Sequence, residues 1–228
     1  MKKIICSMMA LGFVGFAACK QPNTDVLYIE PSDAVTSTIT YCYLEKTTGD
    51  SKEIPSFMWK AQGAYPNEYV ESKEKQIDSL RCYRKDDDTI YAFEGWYYDS
   101  AYENKLTSNK IGVSVCGDLT LYAKIVEREK REGDIVTASI RYEWDDFGLG
   151  QEGIVRMTEG ISLPTEYVEG ENMTLPKLKD WKQSVKVSYR FIGWYYDANL
   201  ENKVTDETIA KNRTGNLVIY PSIEIWVG

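Results

Sequence analysis

The chain has 228 residues, with 27 basic against 35 acidic side chains, a formal charge of −8 and a pI near 4.8. That acidity excludes the basic footprint a nucleic-acid binder needs. The absence of histidine removes Ser-His-Asp and Cys-His catalytic units and the usual His-built zinc sites. Apolar residues make up 43 % and aromatics 13 %, with Tyr 17 and Trp 6, which supplies packed cores and favours strands over helices.

At the N-terminus, Met1-Lys2-Lys3 gives a positive segment, an apolar run follows from Ile4 to Phe16, and Ala17-Ala18-Cys19 closes it. This is the three-part layout of a secretory signal, and the run is too short to span a bilayer core of about 30 Å as a helix. Phe16-Ala17-Ala18-Cys19 also resembles the lipobox of bacterial lipoproteins, with Phe16 in place of the usual Leu. The resemblance implies that residues 1–18 are a lipoprotein signal peptide and that Cys19 is lipidated and anchors the chain to a membrane. Lys20 is not the Asp that retains many lipoproteins in an inner membrane, so an outer-membrane or cell-surface address is expected. Residues 19–36 then form a tether containing Pro22 and Pro31.

Beyond the tether the chain is duplicated. Phe93-Glu94-Gly95-Trp96-Tyr97-Tyr98-Asp99 recurs as Phe191-Ile192-Gly193-Trp194-Tyr195-Tyr196-Asp197, an offset of 98. Residues 66–125 align with 164–223 without a gap, with 22 identities in 60 positions. The repeat predicts module 1 over 37–126, a solvated charged linker over 127–134 and module 2 over 135–228. Thr38–Leu44 and Ile135–Trp144 read as first strands, Leu119–Ile125 and Leu217–Ile225 as last strands. A capping Thr followed by acids predicts a short helix at Thr205–Asn212, with a weaker version at Thr107–Ile111. One short helix among several strands in each unit makes the fold α+β. Gly148–Gly153 lacks the strand–helix setting of a phosphate loop and reads as a flexible turn. Cys42, Cys82 and Cys116 are an odd set in the mature chain, expected as small buried hydrophobes with at most one bridged pair.

Phe93 and Trp96 are three apart and would face opposite sides of a regular strand. A bulge at Gly95 turns both toward one core, and Gly193 does the same for Phe191 and Trp194. Asp99 and Asp197 then open turns. Phe93, Gly95, Trp96 and Tyr97, followed by Gly117-Asp118-Leu119-Thr120-Leu121-Tyr122-Ala123-Lys124, resemble the Listeria–Bacteroides repeat, the internalin B-repeat type module. The second unit keeps Phe191, Gly193, Trp194, Tyr195, Gly215 and Tyr220 and departs at Pro221-Ser222-Ile223. The resemblance implies two small β-grasp-like (ubiquitin-like) modules, used as spacer or contact surface, with no catalytic residues to transfer.

Tyr97, Tyr98, Tyr195 and Tyr196 carry two readings: an exposed platform for a protein or glycan, or packing common to both units. Asp86-Asp87-Asp88 and Asp145-Asp146 lack the spacing of a calcium loop and read as solvated turns. The expectation is therefore a non-enzymatic envelope lipoprotein with no metal and no cofactor, whose partners are the membrane through Cys19 and an extracellular protein or glycan.

Overall fold

The computed structural model describes residues 34–60, 63–144 and 149–228. The signal peptide, Cys19, most of the tether and Asp145-Asp146 lie outside the described residues. The first unit contains β1 (Thr36–Leu44), β2 (Ser51–Lys52), β3 (Glu68–Val70), β4 (Lys75–Gln76), β5 (Cys82–Arg84), β6 (Thr89–Tyr97), β7 (Lys110–Ile111) and β8 (Leu119–Glu129). The second contains β9 (Val136–Tyr142), α1 (Gly150–Thr158), β10 (Glu166–Val168), β11 (Met173–Thr174), β12 (Trp181–Lys182), β13 (Val187–Tyr195), β14 (Thr208–Ile209) and β15 (Leu217–Val227).

Both units follow one plan. The first strand lies parallel to the last, β1 on β8 and β9 on β15, and the last pairs antiparallel with the motif strand, β6 or β13. Ile39 stands opposite Leu119 and Ile140 opposite Leu217, so the first strands are related by 101 residues where the rest keeps 98.

The bulge is where the motif places it. The β6–β8 register slips between Phe93 and Gly95, and the β13–β15 register between Phe191 and Gly193. Gly95 sits at φ 143° and Gly193 at φ 155°, a region side chains disfavour. The slip brings Phe93 and Trp96 to one face, with rings 5.2 Å apart, and Phe191 and Trp194 likewise at 5.1 Å. Both tryptophans are 0 % exposed, and their Nε1–H groups donate to Asp78 O and Pro176 O at 2.8 Å. Tyr41 and Tyr142 lie against them at 5.2 and 5.3 Å and donate to Pro66 O and Pro164 O. Asp99 and Asp197 accept backbone N–H bonds from the residues four and five further on, which closes the turn each opens.

Four local expectations are corrected. Thr205–Asn212 is not a helix: Thr205–Glu207 is a single 3₁₀ turn, with Asp206 and Glu207 at φ 50° and 52°. The chain must extend at once so that Thr208-Ile209 can pair with Met173-Thr174 and bury Ile209, and this pairing overrides the capping signal. Thr107–Asn109 behaves the same way ahead of β7. Conversely, Gly150–Gly153 is not a turn but the start of α1, because Leu149, Gly153 and Met157 align as one buried stripe. The one α-helix among the described residues thus belongs to the second unit. The three cysteines among the described residues are free; Cys42 is buried, Cys82 half-buried and Cys116 exposed, so only Cys42 is the fully buried hydrophobe expected of all three.

The segment expected as a solvated linker is part of the fold. β8 runs on to Glu129, and Arg128 grips Asp134 with two bonds of 2.6 and 2.9 Å, both side chains largely buried. β9 then pairs parallel with β5 of the first unit, Cys82 opposite Val136 and Tyr83 opposite Thr137. This makes one eleven-stranded sheet through both units, in the order β12-β13-β15-β9-β5-β6-β8-β1-β2, with β10 on β9 and β3 on β1. Ile90, Ala92 and Val136 form a small core under that seam.

The Arg128 guanidinium holds the Asp134 carboxyl down to about 2, below its ordinary 3.8. A depressed carboxyl contributes its stability above the ordinary value and loses it as pH falls toward the folded one. Asp134→Asn should therefore be less stable at neutral pH and show a shallower loss of urea resistance between about pH 4 and pH 2 than the wild type.

Candidate functional site

Two places bring polar and aromatic groups together: the seam between the units and a cleft in the first. At the seam, Glu169 is fully buried. It takes two bonds of 2.9 Å from Arg84, one of 2.9 Å from Lys130 Nζ and one of 2.9 Å from the Gly215 N–H. Burial alone would raise its carboxyl, but the Gly215 N–H, Lys130 and Arg84 together outweigh that and hold it below the usual carboxylate range. Arg81 makes a second two-bond pair with Glu166, at 2.7 and 2.9 Å, and also donates through Nε to Phe57 O. Glu71, the counterpart of Glu169, bonds only within its own unit, to Ser37 Oγ at 2.6 Å and Gly117 N at 2.7 Å. The seam is built from structural ion pairs, and its carboxylates are fully engaged.

The cleft has a volume of about 730 Å³ and opens where β1 leaves β8. One wall is Tyr43, Leu44 and the turn Glu45–Gly49; the other is Pro55, Phe57 and Tyr91; the floor is Lys124–Glu127 of β8. Phe57 lies 4.8 Å from Tyr83 and 5.5 Å from Tyr91, a row of rings flanked by Arg81 over Tyr83 and Lys85 near Tyr91. Tyr102 marks the point of divergence: its hydroxyl accepts from Leu44 N and donates to Ala123 O, both at 3.3 Å, in place of the next rung between β1 and β8.

The tyrosines nominated from the sequence do not form an exposed platform. Tyr97 is 8 % exposed, packed edge-on to Tyr102 at 5.2 Å. Tyr98 packs on the first core, and burial pushes its hydroxyl pKa up. Tyr195 is half-buried opposite Tyr220 on β15, and Tyr196 lies against the second core beneath the Arg213 guanidinium, 4.0 Å from the ring. Their recurrence reflects packing, since in both units they lie against the core or a neighbouring ring. Phe93, Gly95, Trp96, Phe191, Gly193 and Trp194 are core and bulge, as described above. Asp86 closes the β5–β6 turn, accepting from Asp88 N, Thr89 N and Thr89 Oγ.

Tyr43, Phe57, Tyr91 and Tyr102, the rings of the cleft, carry no motif in the sequence. A search for what both copies share passes over what one copy alone has: Tyr102 stands where the second unit has Leu200, and Ala123 where it has Pro221. Tyr102→Phe should lose the hydroxyl bridge at a cost of about 1 kcal/mol, seen as a lower urea midpoint and faster amide exchange at Leu44.

The model of the Listeria-Bacteroides repeat domain family matches twice, over residues 61–124 and 157–221. Among solved structures, the chain is similar to domains 3-4 of Streptococcal High Identity Repeats in Tandem (SHIRT) from a cell surface protein. That likeness is 12 % identical, covers 83 % of this chain and 99 % of the other, and has a TM-score of 0.23. No curated protein matches the chain.

Proposed function

Because the chain belongs to the Listeria–Bacteroides repeat domain family, we propose that it is a non-enzymatic lipoprotein of the bacterial cell envelope whose two repeats act as a spacer that presents a protein-contact surface. Each unit is read as β-grasp-like, since its first strand lies parallel to its last and the motif strand pairs antiparallel beside them. The observation that carries the spacer reading is the seam: β5 and β9 join the units into one sheet, and Glu169 ties Arg84 and Lys130 across it. A spacer built this way holds its far end at a fixed place relative to its near end, which a loose linker would not. The contact surface is assigned to the aromatic cleft of the first unit, because Tyr97, Tyr98, Tyr195 and Tyr196 are engaged in packing.

Anchoring rests on Cys19 in its lipobox-like setting. Acyl chains contribute about 0.8 kcal/mol for each buried methylene, so two or three of them hold a protein at a membrane. With a net charge of −8 the polypeptide itself has little attraction for an anionic bilayer. Cells grown with a clickable fatty-acid analogue should label the wild-type protein, and Cys19→Ala should lose the label and move to the soluble fraction. An unlabelled wild type, or a Cys19→Ala variant equally membrane-bound, would refute the anchor.

A further inference from the structure

β8 is an eleven-residue strand whose two sides are paired over different stretches. β6 pairs along it from Tyr122 to Glu129, but β1 pairs only from Leu119 to Ala123. Beyond Ala123, β1 turns away into β2, with Glu45 N bonding Asp50 O, and its lane beside β8 is left open. Among the described residues, no backbone group bonds to Ile125 or Glu127 from that side.

The direction of those groups follows from the strand itself. Ala123 C=O faces the β1 side, since Tyr102 reaches it there. The bulge falls in β6 and leaves β8 regular, so alternation puts the N–H and C=O of Ile125 and Glu127 on that same side. The open lane is the floor of the 730 Å³ cleft, and Tyr43, Phe57 and Tyr91 wall it. An unpaired backbone edge in plain solvent is satisfied by water. Here the edge lies in a recess lined by the rings of Tyr43, Phe57 and Tyr91 together with the charged side chains of Lys46, Lys124 and Glu127, which favours an occupant offering backbone donors and acceptors at strand spacing with apolar side chains between them. A polypeptide strand has that chemistry and a glycan does not. The chain already makes this kind of contact at its seam, where β9 adds to the edge of β5.

Resting on the contact role proposed above, we infer that the cleft is a strand-addition site. An extended segment of a partner protein lies in the lane vacated by β1, hydrogen-bonds to Ile125 and Glu127, and turns alternate apolar side chains toward Tyr43, Phe57 and Tyr91. Tyr102 ends the native ladder where the added strand begins.

The test uses a phage-displayed library of random linear peptides selected on the purified mature protein. Glu127→Pro removes one lane-facing N–H without touching a β6–β8 bond, while Glu127→Ala controls for the side chain and its ion pair with Lys85. The expected result is enrichment of peptides with alternating apolar residues that bind Glu127→Pro at least about fivefold more weakly, the loss of one rung at about 1 kcal/mol, and Glu127→Ala within about twofold of wild type. The amides of Ile125 and Glu127 should become protected from exchange on binding. If Glu127→Pro fails to fold, peptides N-methylated at alternate residues replace it and should lose binding. No enriched peptide, or enriched peptides indifferent to both Glu127→Pro and N-methylation, would overturn the inference. A chain that takes up fatty acid on Cys19 but enriches no peptide keeps the anchored-module reading and loses this one; the reverse pattern does the opposite.

Discussion

A single buried carboxylate makes the two repeats one body. Glu169 has no solvent around its side chain, and its charge is answered by Arg84 from the first unit, Lys130 from the connecting segment and the Gly215 N–H from the turn ahead of β15. Each of those partners belongs to a different piece of the structure, so this one group draws them together at the seam, beside the β5–β9 pairing and the Arg81–Glu166 pair. Removing a partner from such a group leaves a desolvated charge at a cost of about 3–5 kcal/mol. In the first unit the same position, Glu71, closes only its own unit around Ser37 and Gly117. One residue therefore serves as a local clamp in one copy and as the joint in the other.

Around the joint, each unit is organised by the same constraint. A tryptophan of full size must reach the core from a strand that also carries Phe three residues earlier. A Gly bulge allows it, and the Trp Nε1–H then finds a carbonyl, so the largest buried side chain leaves no orphan donor. The two tyrosines that follow are placed by this geometry, one at the end of the strand and one just past it, and the Asp after them closes the turn that returns the chain.

The duplication, the four long first and last strands and the bulge were legible because each rests on residues that recur or alternate within a short window. What was not legible depended on distant pairing. Thr205–Asp206–Glu207 has the local chemistry of a helix start, yet Ile209 is wanted by Met173 across a two-stranded ladder, and the chain extends. Gly148–Gly153 has turn composition, yet Leu149, Gly153 and Met157 are buried along one side of a helix. The charged run 127–134 reads as solvated until Arg128 is placed beside Asp134 and Lys130 beside Glu169. The tyrosine pairs were the converse case: repetition shows that a residue matters to both copies, and in a duplicated fold that points to packing. The cleft escaped notice because Tyr102, which ends the ladder between β1 and β8, has no counterpart in the second copy, where Leu200 stands.

The measurement that tests this account most directly is differential scanning calorimetry of the mature protein beside Glu169→Gln and Glu71→Gln. Joined through the Glu169 seam, the wild type should melt in one cooperative transition. Glu169→Gln should split that transition into two, while Glu71→Gln should lower it without splitting it. Two transitions in the wild type, or a Glu169→Gln variant that still melts as one unit at the wild-type temperature, would contradict the claim that this carboxylate makes the repeats a single body.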